Sequence, residues 1–149
     1  MNNRNEQFYQ IQIFEVSWIT SQQRLRDIRT RVFIEEQGVP EEMEWDQHDD
    51  KAIHLLAINE MNAHLGCARI LANGIIGRMA VLKESRTTGI GRKLLENAIL
   101  ICQRKEWSSI TLSAQLHAIP FYEKFGFEVC SEPYMDAGIV HRDMHLLIC

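Results

Sequence analysis

The apolar positions of this chain fall into short blocks whose period changes along its length. Residues 11–18, IQIFEVSW, are rich in Ile, Val and aromatic side chains and read as a first strand. Their alternation slips between Ile13 and Phe14, which predicts a bulge or an early end. Thr20 and Ser21 are good helix caps, and Leu25, Ile28 and Val32 then recur at helical spacing. Gly38 and Pro40 close that helix, since glycine accepts a left-handed cap and proline cannot continue the ladder. Residues 41–51 are acidic and read as a loop or short turn. Residues 53–58 and 65–71 are two strands joined around Met61-Asn62. Asn73-Gly74 is a hairpin signal leading into a strand from Ile75 to Leu82.

The clearest helix follows. Leu94, Leu95, Ala98, Ile99 and Cys102 form an apolar stripe, with Lys93, Glu96, Asn97, Gln103 and Arg104 mostly opposite. A strand at 109–114 comes next, then a short helix over His117–Phe125 stopped by Gly126. Strands at 127–130 and 140–148 end the chain. This order, with one central strand–helix–strand unit, predicts an α/β (α+β) domain with a mixed sheet. Nothing divides the 149 residues, so a single domain over 1–149 is expected.

Composition narrows the class. Hydrophobic residues make up 46%, charged residues 24%, and the net charge is −4. A nucleic-acid surface calls for clustered Lys and Arg, so no nucleic-acid partner is expected. The first ten residues, MNNRNEQFYQ, lack the apolar centre of a signal peptide. No apolar run approaches the roughly 20 residues of a membrane span, so no membrane partner and a cytoplasmic location are expected. Cys67, Cys102, Cys130 and Cys149 are widely spaced with no C-x-x-C pair. No metal and no disulfide framework are expected, and most of the four should be small buried apolar residues.

The candidate chemistry sits between 76 and 95. A strand ends near Leu82, and Arg86-Thr87-Thr88-Gly89-Ile90-Gly91-Arg92 then opens the amphipathic helix. Helix N-termini present unpaired N–H groups to anions, and glycines let the backbone approach closely. Arg86 and Arg92 add charge, and Thr87 and Thr88 add hydroxyls. An ordinary glycine-containing loop before a surface helix has the same composition. The P-loop pattern and the third glycine of a dinucleotide fingerprint are both absent.

RTTGIG resembles the R/Q-x-x-G-x-G/A signature of the GNAT acetyltransferases. The resemblance implies a mixed, mostly antiparallel sheet with a splayed strand pair forming a CoA cleft. It implies that the turn, Arg86 through Arg92 with Ile90, binds the CoA pyrophosphate. The preceding strand, with Met79, Ala80 and Val81, would pair with the pantetheine arm, and one N–H there would polarise the thioester carbonyl. HAIPFYEKFGF is similar to the family's next motif, in which Ala118 lies near the arm and the tyrosine, here Tyr122, holds its hydroxyl near the CoA sulfur. A departing thiolate needs such a proton. Gln115 stands where many relatives carry Asn. The segments RTRVFIEEQGVP and D-A-G-I-V-H resemble the ElaA-like branch, so the likeness runs from about residue 25 to 145.

The implied activity is acetyl-CoA-dependent N-acetyltransfer to a primary amine of a small molecule or peptide, with acetyl-CoA as acyl donor. A non-catalytic CoA-binding sensor and a transferase using another acyl-CoA are the alternatives. Family analogy adds a homodimer. The amine must lose a proton, and His54, His117, His141, Glu36, Glu44 and Asp46 are the candidate acceptors. His141, at the start of the last strand, is the one chosen, against a structural reading in which it pins the 134–140 loop. Glu44 and Asp46 either attract a cationic substrate or belong to a solvated loop.

Overall fold

A computed structural model describes residues 10–149; the polar leader of the sequence reading lies almost wholly outside the described residues. Among the described residues eight strands form one sheet: β1 (Gln12–Val16), β2 (Ile53–Ile58), β3 (His64–Leu71), β4 (Ile75–Val81), β5 (Ser109–Gln115), β6 (Glu128–Val129), β7 (Tyr134–Asp136) and β8 (Ile139–Leu147). Their order is β1-β2-β3-β4-β5-β8-β6, with β7 on β8. Every neighbouring pair is antiparallel except β4–β5. The helices are α1 (Trp18–Arg29), α2 (Glu41–Glu44), α3 (Ile90–Arg104) and α4 (Ile119–Glu123).

The sheet is covered on both faces, so β2 is a nearly continuous buried apolar run. Leu55 and Ala57 join one core with α3; Leu56 joins the other with α1. Helix α3 buries Ile90, Leu94, Leu95, Ala98, Ile101 and Cys102. Full burial of each leucine contributes about 1.5–3 kcal/mol. Gly66 on β3 lets the start of α3 approach this closely. A Cβ there would lie 2.9 Å from the Ala80 carbonyl oxygen and 3.2 Å from both Ile90 and Leu94 side chains.

Several local expectations are corrected. Strand β1 pairs with β2 in unbroken register, without a bulge at Ile13-Phe14. As an edge strand with Phe14 exposed, it need not keep strict alternation. It does end early, because Ser17 rather than Thr20 or Ser21 caps α1, accepting from the Thr20 N–H at 3.2 Å. Strand β7 has no apolar run of its own and was not anticipated; it exists by pairing with β8. Of the four free cysteines only Cys67 and Cys102 are buried. Helix α1 runs on into a π-helix over Thr30–Glu36, which ends before Gly38 as expected. The wider winding of that segment, in which Gln37 N donates to the Val32 carbonyl at 3.1 Å, has no signature in the hydrophobic period.

Candidate active site

Strands β4 and β5 pair in parallel over only two rungs, Ile75 with Thr111 and Ile76 with Leu112. Beyond them each strand follows its antiparallel partner: β4 stays with β3, and β5 stays with β8. A bulge drives them apart. Ala80 and Gly77 pair with Cys67 and Arg69, so Arg78 and Met79 together oppose Ala68. Arg78 carries the bulge at φ 48°. From Gly77 to Val81 the edge of β4 facing β5 therefore has no ladder partner among the described residues.

This gap is a cleft of about 300 Å³ passing through the sheet. Met79 and Tyr122 line it from the α3 side and Phe33 from the α1 side. Tyr122 Oη lies 4.0 Å from Met79 Sδ, and its ring meets Phe121 and Phe127 edge-on. Burial pushes the Tyr122 phenol up to about 12, so it stays protonated at neutral pH. Ala118, Gln115 and His117 line the same cleft, and Gln115 Nε2 donates to Gln37 Oε1 at 2.8 Å.

At the cleft's far side, His141 Nδ1 donates to the Ile139 carbonyl at 2.8 Å. A carbonyl only accepts, so the neutral ring carries its proton on Nδ1 and keeps the Nε2 lone pair. The ring stacks on Tyr134, centroids 6.1 Å apart. Tyr134 is fixed in turn through its hydroxyl to Ser113 and Asp143. The loop-pinning bond of the structural reading and a cleft-facing imidazole thus coexist.

The turn at 86–92 joins β4 to α3 through a short 3₁₀ segment, Lys83–Ser85. Thr87 and Gly89 adopt left-handed φ of 65° and 87°. No described side chain caps α3. The turn's side chains are occupied elsewhere: Arg86 donates two parallel hydrogen bonds to the Glu36 carboxylate at 2.5 and 2.6 Å, and Arg92 pairs with Glu96 along the helix. Thr87 and Thr88 hydroxyls donate to backbone carbonyls. What the turn offers outward is its row of backbone N–H groups, with Ile90 buried beneath and Gly91 against Phe121.

The other proton-acceptor candidates are placed differently. His54 is buried, bonded through Nε2 to the Asp49 carbonyl, and desolvation holds its pKa below the usual imidazole range. Glu36 is tied to Arg86, whose hydrogen bond keeps its carboxyl below the ordinary value. The acidic segment is solvated only in part, with Glu41, Glu42, Asp46 and Asp50 exposed but two carboxylates turned inward. Glu44 and Asp49 are 3% and 2% exposed, and Arg29 between them is 1% exposed. Arg29 donates to Glu44 at 2.9 Å and Asp49 at 2.7 Å; Arg69 bonds Asp46 and Asp49; Arg78 reaches Glu44 and Asp46. Trp18 and Trp45 close over the Arg29 guanidinium. The network holds the side chain of the bulge residue itself. The sequence reading gave Arg29, Asp49, Arg69 and Arg78 no role of their own, since charges on a helix or strand, or in an acidic run such as the one that holds Asp49, read as surface.

A family model for an acetyltransferase (GNAT) domain matches residues 16–148. With its splayed sheet and cleft, the chain belongs to the GNAT acetyltransferase family. Within that family it falls with the ElaA-like branch. It is 30% identical to ElaA of Escherichia coli over 131 residues, covering 80% of this chain and 83% of that one. The crystal structure of ElaA matches at a TM-score of 0.80 and 26% identity, over 91% of this chain and 98% of that one. The uncharacterized N-acetyltransferase YjcF of Bacillus subtilis is 33% identical over 130 residues, 83% of this chain and 93% of that one. An acyl-CoA N-acyltransferase from Pseudomonas aeruginosa matches at a TM-score of 0.81 and 28% identity, over 91% of this chain and 98% of that one. No described helix is long and apolar enough to cross a membrane.

Proposed function

We propose that residues 1–149 act as one N-acetyltransferase domain that moves the acetyl group of acetyl-CoA directly to a primary amine of a small molecule or peptide. The observation that carries this reading is the parting of β4 from β5 with Tyr122 against the gap, together with the uncapped start of α3 on the turn that follows β4. In this reading the backbone N–H groups from Thr87 to Arg92 receive the pyrophosphate, as helix N-termini receive anions. The unpartnered edge of Met79, Ala80 and Val81 pairs with the amide-bearing arm, in the manner of an added strand. Gln115 and Ala118 flank that arm from the β5 side.

The chemistry then divides between the two ends of the cleft. The neutral amine attacks the thioester carbon, an N–C bond forms and the C–S bond breaks. A backbone N–H of the β4 edge stabilises the carbonyl oxygen as it gains charge. Tyr122 gives its proton to the leaving sulfur, and the proton of the attacking nitrogen passes to His141 Nε2, directly or through water. Both groups regain their resting states by exchange with solvent.

The test is thiol release from acetyl-CoA in the presence of primary amines, with the acetylated amine identified by mass spectrometry. CoA binding without release for any amine would return the chain to the non-catalytic module. Faster release from a longer acyl-CoA would replace the acetyl donor. A cytoplasmic location and a homodimer complete the proposal. Sedimentation of the purified chain tests the dimer.

A further inference from the structure

The charges around the acceptor side of the cleft are already matched to one another. Glu44 lines the cleft, but its Oε2 is held by Arg29 at 2.9 Å and by Arg78 at 2.8 Å. Arg78 also lines the cleft, and its charge is already matched by two carboxylates, with Nε on Glu44 and Nη2 shared between Asp46 and the Glu44 carbonyl. Asp136, exposed on β7, is the one lining carboxylate without an ion-pair partner among the described residues. Between these groups stand the apolar Phe33, Val39 and Ile139, next to the polar Gln37, Ser113, Gln115 and His117. One apolar lining residue, Met43, is also 48% exposed.

A polyamine or aminoglycoside brings several cations, each of which loses water and needs an unpaired carboxylate in return. This cleft has one to give. An amino acid brings a carboxylate, which needs an uncommitted cation, and the guanidinium of Arg78 is committed twice over. A single ammonium entering beside Asp136 and His141 needs nothing more, and an apolar body gains by covering the wall. Building on the N-acetyltransferase reading, we infer that the acceptor is a small primary monoamine on an aryl or alkyl body, without a second cation or a carboxylate.

Three amines decide it at saturating acetyl-CoA: 2-phenylethylamine, spermidine and phenylalanine, which shares the first compound's body and adds a carboxylate. The kcat/KM for 2-phenylethylamine is expected to exceed both others by about tenfold or more, in the range that pocket contacts provide. Val39→Asp, which adds an unpaired carboxylate to the wall, should lower 2-phenylethylamine turnover and raise that of spermidine, with CoA affinity unchanged by calorimetry. Spermidine or phenylalanine reacting as well as 2-phenylethylamine in the unmodified protein overturns the inference and leaves the transferase reading standing. Silence with all three amines overturns the inference; only silence that extends to every small-molecule and peptide amine tried, while CoA binds, overturns the transferase reading as well.

Discussion

At the residue scale the molecule separates groups by environment rather than by type. Tyr122 lines the cleft and Tyr134 stacks on the lining His141, yet one is sealed among aromatics and the other is held by hydroxyl and carboxylate partners. With its phenol near 12, Tyr122 is a proton donor throughout the working range, so alkaline loss of activity at lower pH belongs to another group. Tyr122→Phe keeps the ring and removes only the hydroxyl. In single-turnover measurements we expect kcat to fall by about tenfold to a thousandfold while CoA affinity holds, in line with loss of a general acid. For His141 the tautomer is set by the Ile139 carbonyl, which leaves Nε2 as acceptor. His141→Gln is expected to remove the acid limb of the kcat/KM profile with little change in Tm. A lowered Tm with that limb intact assigns His141 to the loop instead.

At the element scale, two interruptions of regular structure shape the cleft: the β4 bulge at Arg78-Met79 and the π-helix at Thr30–Glu36. Neither is written in a hydrophobic period, because each is one extra residue inserted where neighbouring elements hold the ends. The turn before α3 is different, since Gly89 announces it. A Cβ at Gly89 meets nothing within 4 Å, so the constraint there is its φ of 87° and not space. Gly89→Asp therefore folds with modest strain, on the order of 1 kcal/mol, but places a carboxylate before the row of N–H groups. CoA affinity by calorimetry is expected to fall at least about tenfold, since like charge meets phosphate in place of a partial positive charge. Unchanged affinity in the folded variant removes the turn from the site.

At the scale of the whole molecule, the buried charges join α1, the 44–49 segment, β3 and β4 into one body. Breaking such a pair costs about 3–5 kcal/mol, because the partner is left charged and dry. Burial pushes the Glu44 carboxyl up, against the pull of Arg78 and Arg29. At Asp46 burial also opposes ionisation, but the Arg69 hydrogen bond and charge outweigh it and hold the carboxyl below its ordinary value. A lowered carboxyl stabilises the fold fully above the unfolded value of about 3.9 and loses that contribution as pH falls through the folded value. Urea unfolding across a pH series should thus find Asp46→Asn less stable than the parent near neutrality, with the gap closing below about pH 4. A gap independent of pH means that Asp46 is held by its geometry and not by its charge.

The sequence by itself determined the strands at 53–58 and 109–114 nearly to the residue, the amphipathic α3, and the glycine turn before it. These are local: a period of two or 3.6, and a glycine where φ must be positive, follow from neighbours along the chain. It also carried the RTTGIG and FYEKFGF resemblance on which the family reading stood. Only the tertiary structure decided that β4 and β5 part after two rungs, that Gly66 makes room for α3, and that Arg29, Glu44, Asp49 and Arg69 are interior. A buried charge looks like a surface charge until its partner, 15 or 20 residues away, comes within hydrogen-bond distance. Tyr122 and His141 face one cleft for the same kind of reason, since β5 and β8 bring Gln115 and His141 into register across the sheet.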